Sequence, residues 1–244
     1  MSKTMIITDT CCDLPASLVD QYDVEILATA FNIDDRILYE GIDFSQENFY
    51  EILPAPKDKI KNISIPAAVY LDRFKNAAAC GFENVIVIMT GDDSLPMHRT
   101  ATEAIDLYKA QNPTSNLRIE IFNTENHSMA TGLLVITAAK LAQDGHDIDE
   151  ILATLASSKS KTTFITDKPD DSRLFDDLYM CCAESLRADK PDFAIGYASR
   201  KIEARALAML LEEELGYAPI ALYKLGAISA YTLGKDAITF CFKS

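Results

Sequence analysis

Short apolar runs alternate with longer amphipathic stretches along most of this chain. Met5-Ile6-Ile7 ends in Thr8-Asp9-Thr10, so Ile6–Thr8 reads as strand, and Pro15–Tyr22 follows as helix. Val24–Ile33 is strand-like, with Arg36–Tyr39 as a short continuation. Ser45 precedes Gln46–Tyr50 in the place of a helix cap. Asn62–Ile65 is extended and runs into Pro66, and Ala67–Ala79 is helical up to Gly81. Val85–Met89 reads VIVIM, a continuous apolar run of the kind found in a central parallel strand. A loop over Gly91–Met97 leads to helix at Thr100–Gln111, strand at Leu117–Phe122, and helix at Ser128–Gln143, stopped by Gly145. Asp147–Ser157 is a further helix, with Asp147 and Glu150 spaced as a capping box. Repeated β–α units of this kind predict an α/β fold with a mostly parallel N-terminal sheet flanked by helices.

After Ser157 the texture changes. The polar stretch Ser157–Thr163 reads as a link, followed by strand at Phe164–Thr166 and helix near Leu174–Leu186. Strand Phe193–Tyr197, helix Lys201–Leu215 and strands Ile220–Leu225 and Ile238–Phe242 complete a second, smaller α+β unit. The expected division is therefore 1–158 and 159–244.

Composition narrows the classes. The 244 residues suffice for a sizeable core, and a net charge of −14 repels phosphate backbones and anionic membranes, which argues against nucleic-acid binding. No run approaches a membrane span, and Asp9 and Asp13 interrupt any leader-like segment, so the cytoplasm is the expected location. The six cysteines form two adjacent pairs and two singletons, with no CxxC and only three histidines. Neither a disulfide framework nor a zinc site is expected, and no cofactor is called for. Cys11 and Cys12 read as small space-fillers.

Most enzyme signatures are missing. The chain has no GxGxxG, no GxxxxGK[ST] and no GxSxG. The position two after Asp9, where an aspartyl phosphatase needs a second Asp, is Cys11. The position six after Cys12, where a cysteine phosphatase needs Arg, is Leu18. A hydrolase using Ser94 with His98 as base stays open as an alternative, without a nameable orienting acid. Polar side chains instead recur at the carboxyl ends of the predicted strands: Thr8, Asp9 and Thr10; Ser64; Thr90, Asp92, Asp93 and Ser94; and Asn123 to Ser128. Each cluster alone reads as a turn or cap, as Asp13 does for the helix that follows it. Four on one sheet edge suggest a shared, hydroxyl-rich site.

The order of these clusters resembles the DegV family, bacterial two-domain proteins that bind a fatty acid, some of them the lipid-presenting partner of a fatty-acid kinase. Thr8-Asp9-Thr10-Cys11-Cys12-Asp13-Leu14-Pro15 is similar to the family opening Thr-Asp-Ser-x-x-Asp-Leu-Pro. Tyr39–Ser45 with Phe49-Tyr50, Ser64-Ile65-Pro66, Asn123-Thr124 with Ser128-Met129 and Gly132–Val135, and Leu225–Ile228 with Tyr231-Thr232 match later segments in order. Departures are specific. Ile63 replaces a Thr, Ser94-Leu95-Pro96-Met97 replaces Leu-Ser-Gly-Thr, the Gly-Gly-Arg segment is missing, and Tyr231–Lys235 replaces the closing His-x-Gly-Pro-Gly.

The resemblance implies a non-catalytic protein that binds a fatty acid or related acyl lipid between its two domains, with a fatty-acid kinase subunit as the implied partner. Such a site needs an apolar tunnel and a few convergent donors. Each buried methylene contributes about 0.8 kcal/mol, and a head desolvated without donors loses affinity. The expected head contacts are Ser64, Ser94 and Tyr231. Thr8, Thr10, Thr90 and Ser128 shape the same edge, and Ile63, Met97 and Met129 line the entrance to the tail pocket. Lys235 reads as a solvated turn residue. A divergent protein with a different small ligand is the second alternative.

Overall fold

A computed structural model of the chain describes residues 3–33, 35–52, 60–91, 96–167, 179, 180, 183, 186 and 190–243. Three sheets organise it. The first is parallel, in the order β2-β1-β6-β7, from β1 (Thr4–Asp9), β2 (Glu25–Leu27), β6 (Asn84–Met89) and β7 (Arg118–Asn123). The second is antiparallel and small, in the order β4-β3-β5, from β3 (Ala30–Ile33), β4 (Arg36–Tyr39) and β5 (Ile60–Ile63). The third is mixed, in the order β10-β9-β11-β8, from β8 (Thr162–Asp167), β9 (Asp192–Tyr197), β10 (Ala221–Lys224) and β11 (Ile238–Lys243). The α/β class with a smaller second unit is as the sequence predicts. VIVIM lies within β6, between β1 and β7, with all six residues of the strand buried.

Helices cover the parallel sheet on both faces. Alternation along β6 sends Val85, Val87 and Met89 to one side, against Tyr70, Phe74 and Ala77 of α3 (Ala67–Ala79) and Ala101, Ala104 and Tyr108 of α4 (Pro96–Gln111). Ile86 and Ile88 face the other side, against α5 (Ser128–Gln143) and α6 (Ile148–Lys159). Further helices among the described residues include α1 (Ala16–Tyr22), α2 (Gln46–Ile52), α7 (Lys201–Leu215) and α8 (Ala227–Leu233).

Helix α5 is the shared element. Leu134, Val135, Ala138 and Ala139 pack on the parallel sheet and α6, while Met129, Ala130, Leu133 and Ile136 pack on Ala194, Ala221, Ala237 and Cys241 of the mixed-sheet unit. Small residues on that side let helix and sheet approach closely. The outer face of the mixed sheet carries Phe193, Ile195, Phe240 and Phe242 under Leu207 and Leu211 of α7. The expected boundary at 158/159 falls in the last turn of α6. As a proposed division it separates two sheets that α5 joins in one packed body.

Local signals hold where their partners are near in sequence. Asp147 and Glu150 form the capping box, with Glu150 N–H donating to Asp147 Oδ1 at 2.9 Å. Ser45 Oγ accepts from Asn48 N–H at 3.3 Å. Two segments differ from expectation. Val24–Ile33 is not one strand but two, in different sheets. Thr29 N–H donates to Thr10 Oγ1 at 3.2 Å, holding the chain where it turns from β2 into β3. Helix α4 starts at Pro96 rather than Thr100, with proline in the first helical position, where its missing N–H costs nothing.

Gly132 lets α5 close on the turn after β1. A Cβ there would lie 2.9 Å from Cys12 O and 2.7 Å from Met129 Sδ. Gly132→Ala is expected to destabilise the protein by about 1–3 kcal/mol, because the nearer rigid neighbour is backbone. A urea titration followed by circular dichroism measures it.

Candidate functional site

The chain leaves β1 through a one-turn 3-10 helix, Thr10–Cys12, whose first turn Asp9 caps by accepting from Cys11 N–H at 2.8 Å. Asp13 follows in the left-handed region, at φ 54°. Its side chain caps no part of α1, which begins after Pro15 without a side-chain cap. It turns inward instead. Asp13 Oδ1 accepts from Gly226 N–H at 3.0 Å, and Oδ2 accepts from Ser128 Oγ at 2.5 Å. Ser229 also donates its hydroxyl to Asp13. Ser128 is itself left-handed, at φ 52°. Two facing residues that both hold this costly conformation mark a place where tertiary contacts override local preference.

A second buried carboxylate stands beside the first. Glu40 Oε1 accepts from Ala227 N–H at 2.7 Å, and Thr29 donates to Glu40 Oε2 at 3.4 Å. The Thr10 and Thr29 hydroxyls lie 2.6 Å apart. Asp13 and Glu40 thus hold the first two amides of the α8 segment, where negative charge complements the helix dipole. A Cβ on Gly226 would stand 2.4 Å from Asp13 Oδ1 and 3.0 Å from Glu40 Oε1, so the close approach requires glycine.

Burial dominates the electrostatics. Asp13 is pushed up to about 7, chiefly by desolvation and further by Glu40, against hydrogen bonds that lower it. Desolvation also raises Asp9 and Glu40. Cys11 and Cys12 are raised by burial and by these acids, so both stay thiols and pack as the sequence suggests. Tyr223, likewise raised by burial, lies 3.1 Å from Ser128 Oγ and 3.1 Å from Thr239 Oγ1.

Above this network lies a cavity of about 240 Å³ between the parallel sheet, α5, β8 and α8. Its polar lining is Thr90, His127, Ser128, Ser229 and Thr232, and its apolar lining is Cys11, Phe164, Ile228 and Leu233. Exposed His127 and Thr232 mark the rim, and buried Ser128 and Ser229 the floor. Helix α8 divides its residues between two surroundings. Ala227 and Tyr231 face the small sheet, where Tyr231 meets Phe31 edge-on with ring centroids 6.1 Å apart, and Ser229, Thr232 and Leu233 face the cavity.

Of the residues expected from sequence, the cavity brings together Thr90 and Ser128. Thr90 Oγ1 donates to Thr131 Oγ1 at 3.4 Å. Thr10 belongs to the Glu40 network, and Thr8 is buried in β1 just behind it. Ile63 and Ser64 sit at the end of β5, half-buried and away from the described lining. Met97 lies in the core under α3 and α4, and Met129 in the core between α5 and the mixed sheet. Tyr231 packs on the aromatic cluster of the small sheet. Ser94 lies outside the described residues. His127 belongs to the polar cluster Asn123–Ser128 that the sequence points to, whereas Ser229 and Phe164 belong to none of the four clusters. An i, i+3 reading of Ser229 and Thr232 along Ala227–Leu233 is the one local signal that places two of the lining residues on a common helix face.

These features define an α/β protein with a small, partly hydroxyl-lined cavity where its two sheet units pack together. The family described as "Uncharacterised protein, DegV family" matches residues 3–168. This chain belongs to the DegV family. A DegV domain-containing protein of Caldanaerobacter subterraneus is 26% identical over 155 residues, 64% of this chain and 52% of its own length. The chain thus spans about half the length of the curated relatives it matches. The fold is also similar to DegV from Bacillus subtilis, described as a fatty acid binding protein, with a TM-score of 0.86, 15% identity, and coverage of 100% of this chain and 99% of that one. A stearic-acid-binding protein from Eubacterium ventriosum gives a TM-score of 0.85 at 17% identity, covering 100% of this chain and 98% of that one.

The raised carboxyls make stability pH-dependent. An acid whose folded-state value lies above its ordinary one keeps its proton longer in the native state, so stability falls as pH rises from 3.8 toward about 7 for Asp13. Asp9 and Glu40 act in the same sense. Asp13→Asn is expected to flatten part of that slope and to be more stable than the parent at pH 8 by roughly 1–3 kcal/mol. Thermal melts at several pH values check this.

Proposed function

We propose that this protein binds a fatty acid or related acyl lipid without turning it over. The carboxyl head lies at the hydroxyl-lined floor of the cavity between the two units, and the chain lies along its apolar wall. The observation that carries this reading is the division of the lining itself. Thr90, Ser128, Ser229 and Thr232 converge from three elements, beside the apolar Phe164, Ile228 and Leu233. Membership of the DegV family and the names of the similar solved structures support it.

Apolar contact supplies the larger share of affinity, at about 0.8 kcal/mol per buried methylene. The described cavity, about 240 Å³, is below the roughly 300–1,000 Å³ of ordinary ligand pockets. It seats the head and the first part of a chain, and a long tail runs beyond this lining. The head contacts proposed from the structure are Thr90, Ser128, Ser229 and Thr232, with His127 at the rim. Ser64, Ser94 and Tyr231 remain proposals from the family resemblance.

A carrier role leaves the head within reach of a second protein through the rim at His127 and Thr232. A fatty-acid kinase subunit is the partner that the resemblance suggests. The cytoplasm is the proposed location, supported by free thiols at Cys11, Cys12, Cys80 and Cys241. Among the described residues, no helix is long and apolar enough to cross a membrane.

Organic extraction of the purified protein followed by mass spectrometry is expected to release a fatty acid in near-stoichiometric amount. If none is released, added dansyl-labelled fatty acid should bind. Leu233→Trp, which fills the apolar wall, is expected to weaken that binding at least tenfold with the circular dichroism spectrum unchanged. An empty extract with no uptake would contradict the reading, as would release of acid from an added acyl ester by the parent but not by Ser94→Ala.

A further inference from the structure

Two of the cavity's hydroxyls are tied to one buried carboxyl. Ser128 and Ser229 both line the cavity and both donate to Asp13. A serine hydroxyl has a single hydrogen. While Asp13 is a carboxylate, Ser128 and Ser229 direct that hydrogen away from the cavity and turn only lone pairs toward it. Tyr223 gives Ser128 no relief, because a hydrogen donated by the Tyr223 hydroxyl would fill a Ser128 lone pair and leave the Ser128 hydrogen on Asp13. Among the described lining there is no Lys or Arg. A carboxylate ligand arriving at this floor therefore meets acceptors rather than donors, with Asp13 and Glu40 behind them.

One added proton reverses this. A protonated Asp13 donates to Ser128 or Ser229, and the released serine hydrogen then points to the ligand. Alternatively the ligand keeps the proton and donates it to Ser128. Both arrangements contain the same atoms and one more proton than ionised protein and ionised ligand apart. Resting on the proposed function, we infer that a carboxylate ligand binds this cavity together with one proton, and that Asp13, acting through Ser128 and Ser229, sets the pH range and head-group preference of the site.

The groups facing Asp13 leave it as the proton's natural holder. Cys11 and Cys12 lie near it in the turn after β1, with Asp9 at the end of β1 beside both cysteines, Glu40 just past β4, Tyr223 on β10 and Cys241 on β11. The thiols and the phenol are already protonated, since burial raises them all. The partners of Glu40 and Asp9, the Ala227 amide with Thr29 and the Cys11 amide, are not hydroxyls that line the cavity, so a proton on either leaves the hydrogens of Ser128 and Ser229 where they are. His127, exposed at the rim, also lines the cavity, so the test carries a His127 variant beside the Asp13 one.

Calorimetry of decanoate binding at pH 8 in two buffers of different ionisation enthalpy counts the protons taken up. The expected result for this protein is close to one per bound decanoate, with affinity falling nearly tenfold per pH unit from about pH 7.5 to 9. Asp13→Asn presents an amide N–H to Ser128 in place of the proton. It should bind with no uptake and a flat profile, while His127→Gln keeps the uptake. 1-Decanol, whose hydroxyl can donate to Ser128, should bind the parent protein without uptake. Decanoate binding by the parent with no proton uptake overturns the inference, as does uptake that persists in Asp13→Asn. The buffer comparison on the parent decides the matter even if that variant does not fold. Failure of both decanoate and 1-decanol to bind at any pH from about 6 to 9 would overturn the proposed function itself, and this inference with it.

Discussion

The contact on which the rest depends is the pair of buried carboxylates holding the start of α8. Asp13 and Glu40 are 213 and 187 residues away from the amides they accept, Gly226 and Ala227. Burying two acids side by side is costly, and among the described residues the groups that most shift them include no basic side chain. Backbone N–H groups at a helix start, with serine and threonine hydroxyls, offset that cost instead. The arrangement fixes α8 over the end of the parallel sheet, and the cavity exists because α8 is fixed there. Fold and site therefore share one interaction, and the strained backbones of Asp13 and Ser128 are its local expense.

Helix α5 supplies the platform. It is buried on two sides, with Ala138 and Ala139 of the helix toward the parallel sheet and Ala194, Ala221 and Ala237 of the mixed-sheet unit against its other face. Its first residue is also the cavity floor. The same helix thus joins the two units by apolar packing and positions Ser128 between Asp13 and the ligand space. A change in the protonation of Asp13 would reach both, because one oxygen of its carboxyl holds the Gly226 amide and the other holds Ser128.

Much of the scaffold was legible in the sequence because its causes are local. VIVIM had to be a doubly covered strand, and Asp147 with Glu150 had to open a helix. The order of polar clusters after the strands led to the family. The site was less legible. Asp13 has the residue type and position of a helix cap, and nothing within ten residues reveals that its partners lie at Ser128 and Gly226. Thr29 breaks an apparently continuous strand through a hydrogen bond to Thr10, which a one-dimensional pattern does not contain. Met97 and Met129 look the same in sequence whether they face a ligand or the core, and here they face the core. Tyr231 is on the expected helix, but one face away from the cavity.

Hydrogen–deuterium exchange on the parent protein and on Glu40→Ala tests the central claim most directly. If the carboxylate pair holds α8 in place, the variant should lose at least tenfold protection over Gly226–Gly234 while the β6 amides at Asn84–Met89 exchange as before. Equal protection of the α8 segment in both proteins would mean that apolar packing alone docks the helix, and would contradict the account.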